Sequence, residues 1–328
     1  MTNNLSEANN ILGPDLAIEA HEMLQSKHDG EIPGVSLEKT EFSQGTTAII
    51  RILNEEGAAA MGKPQGTYIT LEAPKLSETD RTQHEPIVSA LCEALKTIMS
   101  LKEQASVLIA GLGNNLTIPD ALGPMVTSRL LATRHLFIYG DASLTEGLRS
   151  IALITPGVTG TTGLETAEIL EALVKQMEPD CLLCIDALAA GELSRLHNTI
   201  QLTDAGIHPG SGIGNKRKSI NKDTIGIPVI ALGVPTVVGA DIIAYHAIDA
   251  LISILEKPQS KREMPLLVSK EHRETIVQQI LEPFGGQLMV TPKDIDEQVD
   301  HTAQIIAKAL TLAIHPSVTY EDAEYYLH

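Results

Sequence analysis

Tryptophan is absent from the 328 residues, and phenylalanine and cysteine occur only 3 times each. An aromatic core is excluded, so the 43% of hydrophobic residues must pack chiefly as Leu, Ile, Val and Ala. Cys92, Cys181 and Cys184 are too few for a disulfide framework, which fits a reducing compartment. Positive charge is scarce: 24 Lys and Arg stand against 42 Asp and Glu, a formal net charge of -18. Such a surface repels nucleic acid and anionic membranes and favours neutral or basic partners. No apolar run reaches membrane-spanning length, and the first 20 residues lack the basic and apolar regions of a secretory signal. The expectation is a soluble, cytoplasmic protein that binds neither nucleic acid nor membrane.

Ready-made cofactor motifs are also missing. The stretch "GLGNNLTIPDALGP" (Gly111–Pro124) has two of the three glycines of the dinucleotide fingerprint, but Leu116 stands where the third lets helix and strand pack closely. "GSGIGNKRKS" (Gly210–Ser219) does not match the phosphate-loop pattern. His21-Glu22 and His84-Glu85 begin the zinc-protease signature, yet Gln25 and Val88 replace its second histidine. Cys181 and Cys184 have zinc-like spacing but sit in an apolar run without a second pair, as core thiols do. No cofactor and no metal are expected. A nucleotide-binding α/β enzyme stays as an alternative.

What is present has a clear rhythm. "GVSLEKTEFSQGTTAIIRILN" reads as two strands around a turn at Ser43-Gln44-Gly45, and "GTYITLEAP" (Gly66–Pro74) as a third. Beyond residue 82, Ile87, Leu91, Leu95 and Ile98 recur at helical spacing, and "SVLIAGLG", "IALITPG", "CLLCIDAL" and "IPVIALGVP" follow as buried strands between helices. Unbroken apolar runs alternating with helices argue for parallel βαβ units. Residues 238–255 read as a helix, with two more near 270–283 and 294–313. Asp15 is a candidate cap for a helix that starts beside it. The predicted architecture is one α/β unit, a mostly parallel mixed sheet with helices on both faces and a β-rich appendage at about 34–74.

Ligands of open parallel sheets bind beyond the carboxyl ends of the strands. That rule selects Asn114 and Asp120 after "SVLIAGLG", Asp186 after "CLLCI", and Asp204 and His208 after "TIQLT", and it suggests that these loops meet at one cleft. Asp186 is read as ending its strand, where an ionised carboxylate needs hydrogen bonds or a cleft. Asp120 follows Pro119 near a helix start, whose free N–H groups stabilise a negative charge. Two carboxylates brought together push their pKa values apart, so that one activates water and the other donates a proton. Spacing alone leaves open that Asp120 is a helix cap and Asp186 a loop acid.

These same segments carry a resemblance. "LNEEGAAAMGKPQGTYITLEAP", "GLGNNLTIPDALGP", "TPGVTGTTGLET" and "CIDALAAGELSRLHNTIQLTDAGIHPGSGIGNKR", in this order, resemble the germination proteases of spore-forming bacteria. The resemblance implies an endopeptidase that initiates degradation of small acid-soluble spore proteins, in the cytoplasm of the forespore and spore core. It implies a fold similar to that of hydrogenase maturation proteases, a homotetramer, and an atypical aspartic mechanism whose two essential aspartates map onto Asp120 and Asp186, with a metal-dependent peptidase of the same fold as the alternative. It also implies a self-processing zymogen, with residues 1–15 as propeptide cut near Asp15 and Leu16, and residues 16–328 as a single peptidase domain. Asn114, Asp204 and His208 are then candidates for the site wall or for substrate binding. N–H groups of "GLGNN" or "HPGSGIGN" are candidates for stabilising the oxyanion.

Overall fold

The computed structural model describes residues 14–26, 30–78, 84–208, 218–256 and 270–323. Among these residues nine strands form one sheet: β1 (Val35–Phe42), β2 (Gly45–Ile52), β3 (Gly66–Glu72), β4 (Ser106–Gly111), β5 (Ser150–Ile154), β6 (Cys181–Ala190), β7 (Thr199–Thr203), β8 (Val229–Gly239) and β9 (Met289–Val290). Their order is β1-β2-β3-β7-β8-β6-β4-β5, with β9 added to the far end of β8. β5, β4, β6 and β8 run parallel to one another, as their unbroken apolar letters predict. The β-rich appendage is an antiparallel meander, and the β3–β7 pairing joins it directly to the parallel half.

Alternation along β6 explains the layers. Cys181, Leu183 and Ile185 enter one core, while Leu182 and Cys184 enter the other. The first core is closed by the helices His84–Met99, Leu122–Thr127 and Ile295–Ile314. The last of these carries a near-continuous stripe of fully covered residues, Ala303, Ile306, Leu310 and Ile314 among them. On the opposite face the helices Thr166–Met177 and Lys222–Ile225 cover β4 and β6. The helices Ala17–Gln25 and Glu55–Met61 cover β2 and β3 through Leu16, Ile18, Ile50, Met61 and Tyr68.

The helix read at 238–255 spans Ala240–Glu256, because Val238 and Gly239 are still strand, paired with β6 and β9. The helix Ala17–Gln25 has Leu16 at its N-cap with no side-chain bond, so Asp15 does not cap it. Its carboxylate instead accepts the N–H of Ala189 on β6 at 3.0 Å.

Candidate active site

β4 leads into a short 3-10 turn, Ile118–Asp120, and then into the helix Leu122–Thr127. This connection lies directly on β6. The N–H of Leu112 donates to the carbonyl of Ile185 at 2.8 Å. A Cβ on Gly123 would stand 2.4 Å from that same carbonyl oxygen, so only glycine permits the approach. The Ile118–Asp120 turn packs against β6, β8 and the helix Ile295–Ile314. Within the loop, the N–H of Asn114 donates to Asp120 twice, to Oδ2 at 2.9 Å and to the carbonyl at 3.0 Å. Gly113 makes that return possible: its φ is +104°, and a Cβ there would lie 2.1 Å from the Asp120 carbonyl oxygen. The Asn114 side chain accepts from the N–H of Leu116 and donates to Thr117, closing the loop on itself.

Asp186 is within β6 rather than at its end. The strand continues through Ala190, because β8 supplies partners as far as Val238. Asp186 as a residue is 9% exposed, and its carboxylate accepts the N–H of Ala187 at 3.0 Å. By the two-residue period it shares its sheet face with Cys184 and Leu188, which belong to different apolar groups. Asp186 therefore emerges at the seam between those groups. The carbonyl touched by the Asp120 loop is that of Ile185, the other half of the peptide bond that begins Asp186. The Asp120 loop therefore sits on the peptide bond that leads into Asp186.

Asp204 and His208 are placed elsewhere. β7 runs antiparallel to β8, with Thr203 opposite Ala231 and Gln201 opposite Gly233, while Gly233 pairs on its other side with Asp186. The chain after Thr203 thus leaves the sheet at the end opposite to the Asp120 loop. The expected convergence of all the loops fails because one strand of the run is reversed. Asp204 holds the edge of β3, its Oδ1 accepting the N–H of Thr67 at 2.7 Å. His208 is exposed beyond it, and the glycine stretch from Pro209 lies outside the described residues. In "GLGNN" the N–H groups of Leu112 and Asn114 are already engaged, so neither faces an incoming oxyanion.

The N-terminal segment docks on the same face as Asp186. Gln201 brackets Leu16: its Nε2 donates to the Asp15 carbonyl at 3.2 Å and its Oε1 accepts the N–H of Ala17 at 2.6 Å. Leu16, Ala17 and Ile18 are fully covered. One turn on, Glu19 accepts the N–H of Gly191 at 3.1 Å, and Arg195 bonds Glu22 and Glu72, each at 2.8 Å. Burial pushes the Glu19 carboxyl up to about 7, against the opposing pull of Arg195.

Cys181 and Cys184 are core thiols, as their apolar run suggests, and burial pushes the Cys181 thiol up to about 12. Among the described residues no group of three His, Cys, Asp or Glu side chains is arranged to hold a metal. No helix there is long and apolar enough to cross a membrane.

The sequence profile of the germination proteases matches residues 17–267 and 259–327. The chain belongs to the germination protease family. A germination protease of Clostridium tetani is 41% identical over 320 residues, covering 96% of this chain and 98% of its own. That of Caldanaerobacter subterraneus is 42% identical over 319 residues, covering 96% and 97%, and that of Bacillus velezensis 35% over 368 residues, covering both chains completely. A NiFe hydrogenase maturation protease from Thermococcus kodakarensis aligns with 14% identity and a TM-score of 0.33, over 66% of this chain and 99% of its own.

In this germination protease no motif marks two residues that touch the Asp120 loop or its seat, Gly123 against Ile185 and Thr236 against Pro119. Gly123 stands in "DALGP" as one glycine among many. Thr236 follows Pro235 inside a strand, and a proline there is itself a sign of a bulge.

Proposed function

We propose that this peptidase is the endopeptidase that initiates degradation of small acid-soluble spore proteins during germination, acting through Asp120 and Asp186. The observation that carries the mechanism is the seating of the Asp120 loop on the Ile185–Asp186 peptide. Two acids from adjacent segments suit general acid–base hydrolysis: one carboxylate takes a proton from water as it attacks the peptide carbonyl, and the other protonates the departing nitrogen. Leu116 and Ile118, 81% and 43% exposed, give the Asp120 side of the site an apolar lip for a peptide side chain. The acidic surface suits no nucleic acid ligand.

The chain is proposed to be made as a zymogen cut near Asp15 and Leu16, to act as a homotetramer, and to work in the cytoplasm of the forespore and spore core. These points rest on family resemblance, with the bracketed Leu16 as the local feature that fits a processing point.

The test uses wild type, Asp120→Asn and Asp186→Asn, each given the matching N-terminal truncation and checked for folding by circular dichroism. A small acid-soluble spore protein is the substrate, with and without EDTA, and products are read by intact mass. Cleavage that resists EDTA and disappears in both folded variants supports the dyad. Cleavage abolished by EDTA, or retained in either variant, removes it.

A further inference from the structure

The ladder between β6 and β8 is interrupted at one point. Leu188 pairs with Pro235 and Ala189 with Val237, so Thr236 is passed over. One extra residue on one strand is a β-bulge, which frees the polar groups of the bulged residue from the ladder and aims them elsewhere. Pro235 suits the place, having no N–H to contribute.

Thr236 is 1% exposed and bonds to Pro119, Thr291 and His197, each in another segment. Its Oγ1 donates to the carbonyl of Pro119 at 2.6 Å. Its own carbonyl accepts from Thr291 Oγ1 at 3.0 Å and lies 3.2 Å from Nε2 of His197. A carbonyl can only accept, so Nε2 is the protonated nitrogen of that imidazole. Burial pushes the ring down to about 4, so it stays neutral at ordinary pH. The N–H of His197 in turn donates to the carbonyl of Pro235 at 2.9 Å, which pins the bulge on its outer side.

Pro119 precedes Asp120 directly. On one flank, Leu112 and Gly123 hold the Asp120 loop to β6. On the other, Thr236 holds the turn to β8, the strand that pairs with Asp186 through Gly233. The internal bonds of Asn114 shape the loop but do not place it on the sheet.

We propose that Thr236 is a positioning residue for peptide hydrolysis: its bulged hydroxyl fixes the Ile118–Asp120 turn on β8 and so sets where the Asp120 carboxylate stands relative to Asp186. The inference rests on the reading of Asp120 as a catalytic acid. A hydroxyl that merely filled the core would be replaceable by a methyl group of the same shape. One that positions Asp120 is not.

The experiment measures kcat and KM on a small acid-soluble spore protein for truncated wild type, Thr236→Val, Thr236→Ser, Asp120→Asn and the Asp120→Asn/Thr236→Val double variant. Thr236→Val should fold, lose about 10- to 100-fold in kcat from misplacement of a reacting group, and keep a near-normal KM. Thr236→Ser, which restores the donor, should recover most of the rate. The double variant should be no slower than Asp120→Asn alone, because residues acting as a unit are not additive. A folded Thr236→Val with wild-type kcat overturns the inference, as does a Thr236→Ser as slow as the valine variant. If valine prevents folding, Thr236→Ala against Thr236→Ser makes the same comparison, with amide exchange of residues 112–123 as a second readout. A fully active Asp120→Asn would bring down the reading of Asp120 itself. An inactive Asp120→Asn beside a fully active Thr236→Val would remove the positioning role alone.

Discussion

Replacing Gly123 by alanine is the sharpest test of how the loop sits on the sheet. The new Cβ would lie 2.4 Å from the Ile185 carbonyl oxygen, 2.4 Å from that of Leu112 and 2.5 Å from the Leu112 nitrogen. All three are backbone atoms, so no side-chain rotation relieves them. Ordinary contact requires a shift of about 1 Å, and the segment able to move is the Asp120 loop with its helix. Overpacking costs about 1–3 kcal/mol, and a backbone wall on three sides puts this case near the upper limit. At about 2 °C per kcal/mol for a chain of this size, Tm should fall by roughly 6 °C. If Asp120 is the proposed catalytic acid, a shift of that size should also lower kcat by about 100-fold. Gly160→Ala is the control: it lies in the turn of helix Thr159–Thr162 with nothing within 4 Å of the added Cβ. It should be neutral or stabilise by up to about 1 kcal/mol. Thermal melts followed by circular dichroism and a cleavage assay decide the matter. A Gly123→Ala protein with unchanged Tm and full activity would show that loop and strand are not in contact as described.

Two pH effects of opposite sign follow from buried groups. His197 and His315 are both held down to about 4, chiefly by burial, with Arg149 adding to the effect at His315. Their neutral forms lend stability that is complete above about 6.5 and is lost as pH falls towards 4, about 3 kcal/mol for each. Denaturant unfolding at pH 6.5 and 5 should show the loss, and His197→Asn, which tolerates the left-handed backbone at this position (φ 56°), should reduce it; an unchanged slope contradicts the assignment. Glu19 acts the other way. Its carboxyl is raised to about 7, so the stability it gives the docked N-terminal helix is complete below 4.5 and is lost as pH rises through 7, again about 3 kcal/mol. Glu19→Gln should make amide-exchange protection of residues 17–25 nearly independent of pH across that range, and a variant that still loses protection above neutrality would exclude Glu19 as the cause.

Much of the fold is legible in the letters, because apolar period and turn chemistry are local. The hairpin at Ser43-Gln44, the strand Gly66–Glu72 and the buried strands β4, β5, β6 and β8 each follow from runs of a few residues. Strand direction is not local. "TIQLT" alternates polar and apolar letters where the parallel strands are unbroken apolar runs, but five residues do not settle direction, and the reversal of β7 carries Asp204 and His208 to the other end of the sheet. Nor does an apolar run show where a ladder stops: β6 outlasts Asp186 because β8 is long enough to accompany it. The seating of the Asp120 loop against β6 and β8 depends on Gly123, Leu112 and Thr236, contacts between segments dozens of residues apart. The strand-end rule offers Asp120 and Asp186 as a possible pair, and the family resemblance implies that both are essential.

The docked N-terminal segment sets a condition on the proposed processing. Asp15 is tied to Ala189, three residues beyond Asp186 on β6, or about 10 Å along the strand. Leu16 and Ile18 are fully covered, and Gln201 holds the backbone on both sides of Leu16. A peptidase binds its target as an extended, accessible strand, so the Asp15–Leu16 bond cannot be cut while the segment stays in this place. Lifting it exposes two large aliphatic side chains at about 1.5–3 kcal/mol each, a total of about 3–6 kcal/mol. At 1.4 kcal/mol per factor of ten, roughly one chain in a hundred to one in ten thousand is open at any moment. Self-cleavage would then be limited by undocking rather than by the chemistry of the acids, and its rate would follow whatever loosens the grip of Glu19, Arg195 and Gln201 on the helix.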